Sequence, residues 1–155
     1  MFKTAAFIFL LGLGVVAARA ADTGPHFFAP PGADPKTSPP FSNAVMVDGT
    51  FYVAGHLGLD PATGKAGSDA EAEARLVMDA VKQTLEKGGL TMDDLVSVTV
   101  YCTDLDLYDK FNAVYRGYFH EHYPARAFIG VAKLVRGAHF EIAGVAVKSK
   151  TPRKP

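Results

Sequence analysis

Between residues 44 and 147 apolar side chains recur with a period of two in short runs and of about 3.6 in longer ones, the pattern of strands interleaved with amphipathic helices. Ala44-Val45-Met46-Val47 reads as a short strand, Asp48-Gly49 as a hairpin turn, and Thr50-Phe51-Tyr52-Val53-Ala54 as its β-branched and aromatic partner. Gly55-His56-Leu57-Gly58-Leu59 continues extended, its glycines marking a bulge or a close backbone approach, before a loop at Asp60-Pro61-Ala62-Thr63-Gly64-Lys65. Ser68 or Asp69 can cap a helix whose first turn carries Glu71 and Glu73, where the helix dipole favours acids. Its apolar face runs Ala74, Val77, Val81 and Leu85, and Gly88-Gly89 ends it.

Residues 95–102 alternate Val96, Val98 and Val100 against Ser97, Thr99 and Tyr101, a strand with two unlike faces. Asp104 or Asp106 opens a second helix with Leu107, Phe111, Val114, Tyr115, Tyr118 and Phe119 on a broad aromatic side. Residues 127–131 and 139–147 read as the last two strands, with a turn at Arg136-Gly137 and the option of pairing as a hairpin. The order β-β-α-β-α-β-β predicts an α+β fold, its two helices covering one face of a sheet. Several strands are apolar on both sides, so the other face needs a second layer, which another subunit would supply.

The first twenty residues break the pattern. Lys3 gives a positive start, 5–17 an apolar stretch too short to span a bilayer, and Ala18-Arg19-Ala20 a small-x-small cleavage signal. The expectation is a secretory signal peptide over 1–20, and hence an exported protein, periplasmic or secreted, with no membrane attachment after cleavage. Residues 21–36 form a Pro/Gly-rich linker, 37–149 the domain and 150–155 a basic tail. The full chain has 155 residues with 16 basic and 16 acidic side chains; losing Lys3 and Arg19 leaves 14 basic against 16 acidic. No basic surplus favours nucleic acid as a partner. Cys102 is the sole cysteine, which excludes an internal disulfide or a multi-cysteine zinc site; its place in an apolar alternation predicts burial.

Two charged residues in apolar strands stand out. Arg126 follows Tyr123-Pro124-Ala125 and precedes Ala127-Phe128-Ile129. A guanidinium there either binds an anion with its planar fork of donors or serves a structural ion pair. Glu141 lies between Phe140 and Ile142. It points to solvent at an edge, or it is buried near a cation with a perturbed pKa, and pairing of the last two strands would bring it towards Arg126. His56 could line a pocket or be a satisfied structural histidine. His120 and His122, two apart at a helix end, do not form a metal pair. Asn112 on the second helix has an amide that could orient a ligand or be solvated. No nucleophile elbow, phosphate loop or dinucleotide glycine motif is present.

Pro40-Phe41-Ser42-Asn43-Ala44-Val45, Phe51-Tyr52-Val53-Ala54-Gly55-His56-Leu57, Pro124-Ala125-Arg126-Ala127 and Phe140-Glu141-Ile142 with Val145-Ala146-Val147 resemble the RidA (YjgF) family in order and spacing. The resemblance implies a chorismate mutase-like homotrimer with sites in the clefts between subunits. It further implies hydrolysis of reactive enamines or imines such as 2-aminoacrylate, giving 2-keto acids and ammonia without metal or organic cofactor. By it Arg126 binds the carboxylate of a small substrate, Glu141 positions water and assists proton transfer, and Asn112, Phe41, Gly55 and His56 line the substrate site. Phe41 stands where a tyrosine is usual, Ala54 where a serine is common, His56 where a glutamine is common, and Val135 where a proline is frequent. A different class of function, a trimeric small-anion-binding or interaction protein without turnover, is the alternative. Ribonuclease activity, a label attached to some relatives, is opposed by the charge balance and the lack of a basic stripe.

Overall fold

The computed structural model describes residues 24–30, 32–34 and 36–148; the signal peptide expected over 1–20 and the basic tail of 150–155 lie outside them. Six strands form one mixed sheet: β1 (His26–Phe28), β2 (Ala44–Val47), β3 (Thr50–Leu57), β4 (Leu95–Cys102), β5 (Ala125–Gly130) and β6 (Phe140–Val147). The spatial order is β1-β2-β3-β6-β4-β5. Only β4 and β5 run parallel; the other neighbours are antiparallel. Helices α1 (Ala70–Lys87) and α2 (Tyr108–Tyr115) pack against one face, an α+β architecture as expected.

The long helix forms where its pattern says it should. Asp69 accepts a hydrogen bond from the Ala72 amide at the N-cap, and the chain leaves α1 through Gly88 and Gly89, the latter at φ 70°. Ala74, Val77, Val81 and Leu85 are all buried, together with Met78. They meet Phe51, Val98, Val100, Phe140, Ile142 and Ala146 from the sheet in one core. Each large aliphatic or aromatic side chain withdrawn this way contributes roughly 1.5–3 kcal/mol. Cys102 is fully buried, its thiol donating to the Asp104 carbonyl at 3.0 Å.

Two expectations are corrected. Within the linker, His26–Phe28 is a strand, paired with β2 from Met46 to Ala44. The Phe28 ring holds it, packing edge-on against Phe51 at 5.0 Å. Three residues are too few for periodicity to reveal. The last two strands do not pair; β4 lies between them, antiparallel to β6 and parallel to β5. β6 buries Phe140, Ile142 and Ala146 completely and so takes a central place between β3 and β4. β5 reaches the outer edge through the crossover that contains α2, the long connection a parallel pair requires.

Among the described residues, none forms a layer on the second face. A row runs across it through Phe27, Val45, Tyr52 and Val145, held side by side by the strand registers. Phe27, Tyr52, Ile129 and Val147 are among the large apolar side chains left exposed.

Candidate functional site

Strand parity determines where the charged residues go. Arg126 pairs with Val98, a core residue, and therefore points to the helical side of β5. Glu141 alternates with the fully buried Phe140 and Ile142 and pairs with Leu57 and Tyr101, so it emerges on the open face. The two residues lie on opposite faces of the sheet, two strands apart. The expected meeting of Arg126 and Glu141 within one chain does not occur, because β4 intervenes and the faces differ.

Arg126 is surrounded by α2. Its Nη2 donates to Asn112 Oδ1 at 2.7 Å, and Asn112 is itself buried. The guanidinium carbon lies 4.4 Å from the Tyr115 ring centre, 5.9 Å from that of Tyr108 and 5.8 Å from that of Phe128. This is an aromatic cage, favourable to a cation by roughly 0.5–2 kcal/mol per good contact. No carboxylate among the described residues is within ion-pair distance of it. Arg126 Nη1 and the Tyr115 hydroxyl are both buried without a hydrogen-bond partner. The structural ion pair is thus not what holds Arg126. A partly buried cation that finds only an amide and π faces has unmet attraction for an anion.

A hollow of about 250 Å³ opens beside it, lined by Tyr108, Asn112, Tyr115, Tyr123, Pro124 and Arg126. Burial pushes the Tyr115 phenol up to about 12, against the pull of the nearby Arg126 charge, so the phenol stays protonated at neutral pH. The tyrosine walls are not among the residues expected at the site: from the sequence, Tyr115 counts only as part of a broad aromatic side of the second helix. Their signal was the Tyr108, Asn112, Tyr115 spacing of four and three, one helix face carrying an amide between two phenols.

Glu141 occupies a second, separate position. Gly55 faces it across the sheet, and a Cβ on that residue would collide with Glu141 Oε1. Glycine is needed there for room, not for backbone freedom. No hydrogen bond or ion pair engages the Glu141 carboxylate among the described residues. It is an available base beside a stretch of exposed backbone.

His56 is corrected as a pocket residue. A register shift between Val53 and His56 turns its ring to the helical side. There Nδ1 donates to the Ala54 carbonyl at 2.7 Å and Nε2 accepts from the Thr84 hydroxyl at 2.8 Å. Burial holds its pKa below the usual histidine value, with Lys87 adding to the effect. Phe41 is exposed on the loop before β2 and lines a different hollow, with Pro30, Asp34 and Pro39. Of the expected site residues, one chain therefore unites Arg126 with Asn112 and Glu141 with Gly55, as two half-sites. His120 and His122 are exposed and line neither.

Among the described residues, a caged arginine without an ion-pair partner thus lies on one face of an α+β sheet and a glutamate without one lies on the other. The family model described as Endoribonuclease L-PSP matches residues 32–148. The chain belongs to this family, which is the RidA (YjgF) family of the resemblance. The human 2-iminobutanoate/2-iminopropanoate deaminase is 36% identical over 110 residues, 70% of this chain and 80% of that protein. A RutC family protein of Pyrococcus abyssi is 36% identical over 115 residues, 74% of this chain and 91% of its own. The crystal structure of E. coli TdcF with bound serine superposes with a TM-score of 0.68 at 32% identity, covering 72% of this chain and 91% of that one.

Proposed function

We propose that the protein hydrolyses reactive enamines and imines of the 2-aminoacrylate kind to 2-keto acids and ammonia, in sites assembled between the subunits of a homotrimer. The observation that carries the reading is the separation of two unsatisfied half-sites. Among the described residues Arg126 has no anion and Glu141 no partner, and each would be completed by the other's surface on a neighbouring copy. The apolar open face supplies the reason for copies to associate, since its exposed Phe27, Tyr52, Ile129 and Val147 gain by burial. Support from relatives comes from the human deaminase, whose name states the activity, and from the small amino acid bound to TdcF.

In the proposed reaction the substrate carboxylate pairs with Arg126, oriented by Asn112. An enamine takes a proton at Cβ and becomes the iminium. Water then adds to the iminium carbon; Glu141 accepts the water proton as the C–O bond forms and delivers it to nitrogen. The C–N bond breaks as the new hydroxyl gives up its proton to solvent, making good the one taken up at Cβ; ammonia leaves, and the keto acid remains. General acid–base help of this kind contributes typically about 10²–10⁴-fold. The reaction as written needs neither metal nor redox cofactor.

The test is ammonia and keto-acid release from freshly generated imino acids, with Arg126→Ala as control. Release above the spontaneous rate that the control loses supports the enzyme. Tight keto-acid binding with no acceleration supports instead a trimeric anion-binding protein, which Phe41 and Ala54, apolar where the family is commonly polar, favour. Export remains part of the proposal: mature protein from the host starts at Ala21 or close to it, and intact Met1 in a membrane fraction contradicts it.

A further inference from the structure

Glu73 is a fully buried acid that the mechanism above does not use. Its Oε1 accepts the backbone N–H groups of His139, at 2.5 Å, and of Phe140, at 2.8 Å. Its Oε2 accepts from the His139 ring Nδ1 at 2.8 Å. These two residues immediately precede Glu141. On its other side Glu73 is covered by the 58–67 loop, which closes on itself through the Gly67 amide and the Gly58 carbonyl at 3.2 Å. A Cβ at Gly58 would come within 2.5 Å of Glu73 Cγ, and one at Gly67 would strike the Glu73 amide nitrogen. Gly58 directly follows Leu57, the residue paired with Glu141 in β3.

Glu73 thus bonds the segment that leads into Glu141 through its carboxylate, and packs through its stem and backbone against the turn that follows Leu57. A helix-dipole role needs neither burial nor three long-range hydrogen bonds, and neither does a surface ion pair. Three hydrogen bonds onto His139, just before β6, and Phe140, its first residue, hold the strand's starting register, and Glu141 is the first open-face residue after them.

We propose that Glu73 is a positioning residue: by clamping the His139 and Phe140 backbone against the Gly58 turn, it aims the Glu141 carboxylate over Gly55. The proposal rests on the reading of Glu141 as the proton-transferring group. Its signature is a loss in kcat without a loss in substrate binding. Arg126, which binds the carboxylate, is on β5, two strands from β6, and Phe140 reaches its cage only indirectly, through Phe111 packed on Phe128 and Tyr115.

Two substitutions test it in the full chain, with imino-acid hydrolysis as the readout. Glu73→Met keeps length and removes every acceptor; kcat falls about 10- to 100-fold, the cost of a misplaced catalytic group, while KM stays within about twofold. Glu73→Gln keeps a carbonyl for the two backbone N–H groups and offers its amide to the imidazole in the other tautomer, so kcat stays within about threefold. A folded Glu73→Met with the parent's kcat overturns the proposal, as does a raised KM with kcat unchanged. Should Glu73→Met not fold, His139→Ala removes the Nδ1 contact from an exposed position. A fall in kcat of about threefold or more at constant KM then supports the clamp, and the parent's kcat overturns it. A parent protein with no turnover overturns the deaminase reading and this inference with it; an active parent indifferent to these changes overturns only the inference.

Discussion

Replacing Arg126 separates function from stability, because the residue's surroundings satisfy it so incompletely. Among the described residues it makes one hydrogen bond, to the neutral Asn112 amide, and three π contacts, while Nη1 goes unpaired. A substrate carboxylate would add charge-assisted hydrogen bonds worth about 1.5–3 kcal/mol each. Counting a two-point contact with partial loss to solvent gives on the order of 2–4 kcal/mol, or about 30- to 1,000-fold in kcat/KM. Arg126→Ala should lose that much, mostly through KM. Arg126→Lys should recover little, since an ammonium cannot hold Asn112 and present a fork at once. Stability should change less. Arg126→Met, apolar and of similar length, relieves an unpaired cation but gives up the π contacts and leaves the buried Asn112 oxygen without its donor, and should cost about 1–2 kcal/mol of unfolding free energy. Steady-state kinetics on imino acids and urea denaturation of the same variants check both halves. A loss of more than about 2 kcal/mol in stability with kcat/KM unchanged would assign Arg126 to structure and refute the reasoning.

Glu141→Gln keeps the shape and removes the proton acceptor; kcat should fall about 10²–10⁴-fold with KM little changed, and turnover at the parent rate would return Glu141 to a structural role. His56 gives a pH dependence whose sign follows from its lowered pKa. The neutral ring is favoured in the fold, so this contribution is complete above the unfolded value near 6.5 and is lost as pH falls from there through the folded pKa. Thermal unfolding between pH 7 and pH 5 should show a steeper decline for the parent than for His56→Gln, and equal declines would contradict it. Light scattering at micromolar concentration should give three times the chain mass; a monomer would remove the basis for a shared site.

What could be read from the chain depended on how local the information was. The stripe Ala74, Val77, Val81 and Leu85 specified α1, its buried face and its glycine exit, all within one helix. Glu73 lies four before Val77 on the same stripe, a sign of burial that its place in an acidic first turn masked. Arg126 and Glu141 were conspicuous as charges in apolar strands, but which face each takes depends on register and strand order. Whether β6 pairs with β5 or β4 depends on long-range burial, which the Arg136-Gly137 turn does not encode. His56 turned inward because of a bulge, whose trace in the sequence is only the Gly55 and Gly58 pair around it. β1 was hidden because three residues among prolines carry no periodicity, although Phe28 has a core contact waiting for it.

The central claim, that Arg126 of one subunit works with Glu141 of another, is tested most directly by subunit mixing. Arg126→Ala and Glu141→Gln, each nearly inactive alone, are refolded together in equal amounts. If each site joins the two residues from different subunits, about a quarter of the sites in random trimers carry both intact side chains, and the mixture recovers about a quarter of the parent's activity. A mixture no more active than the two variants apart would place both residues in one subunit's site, or in none, and contradict the account.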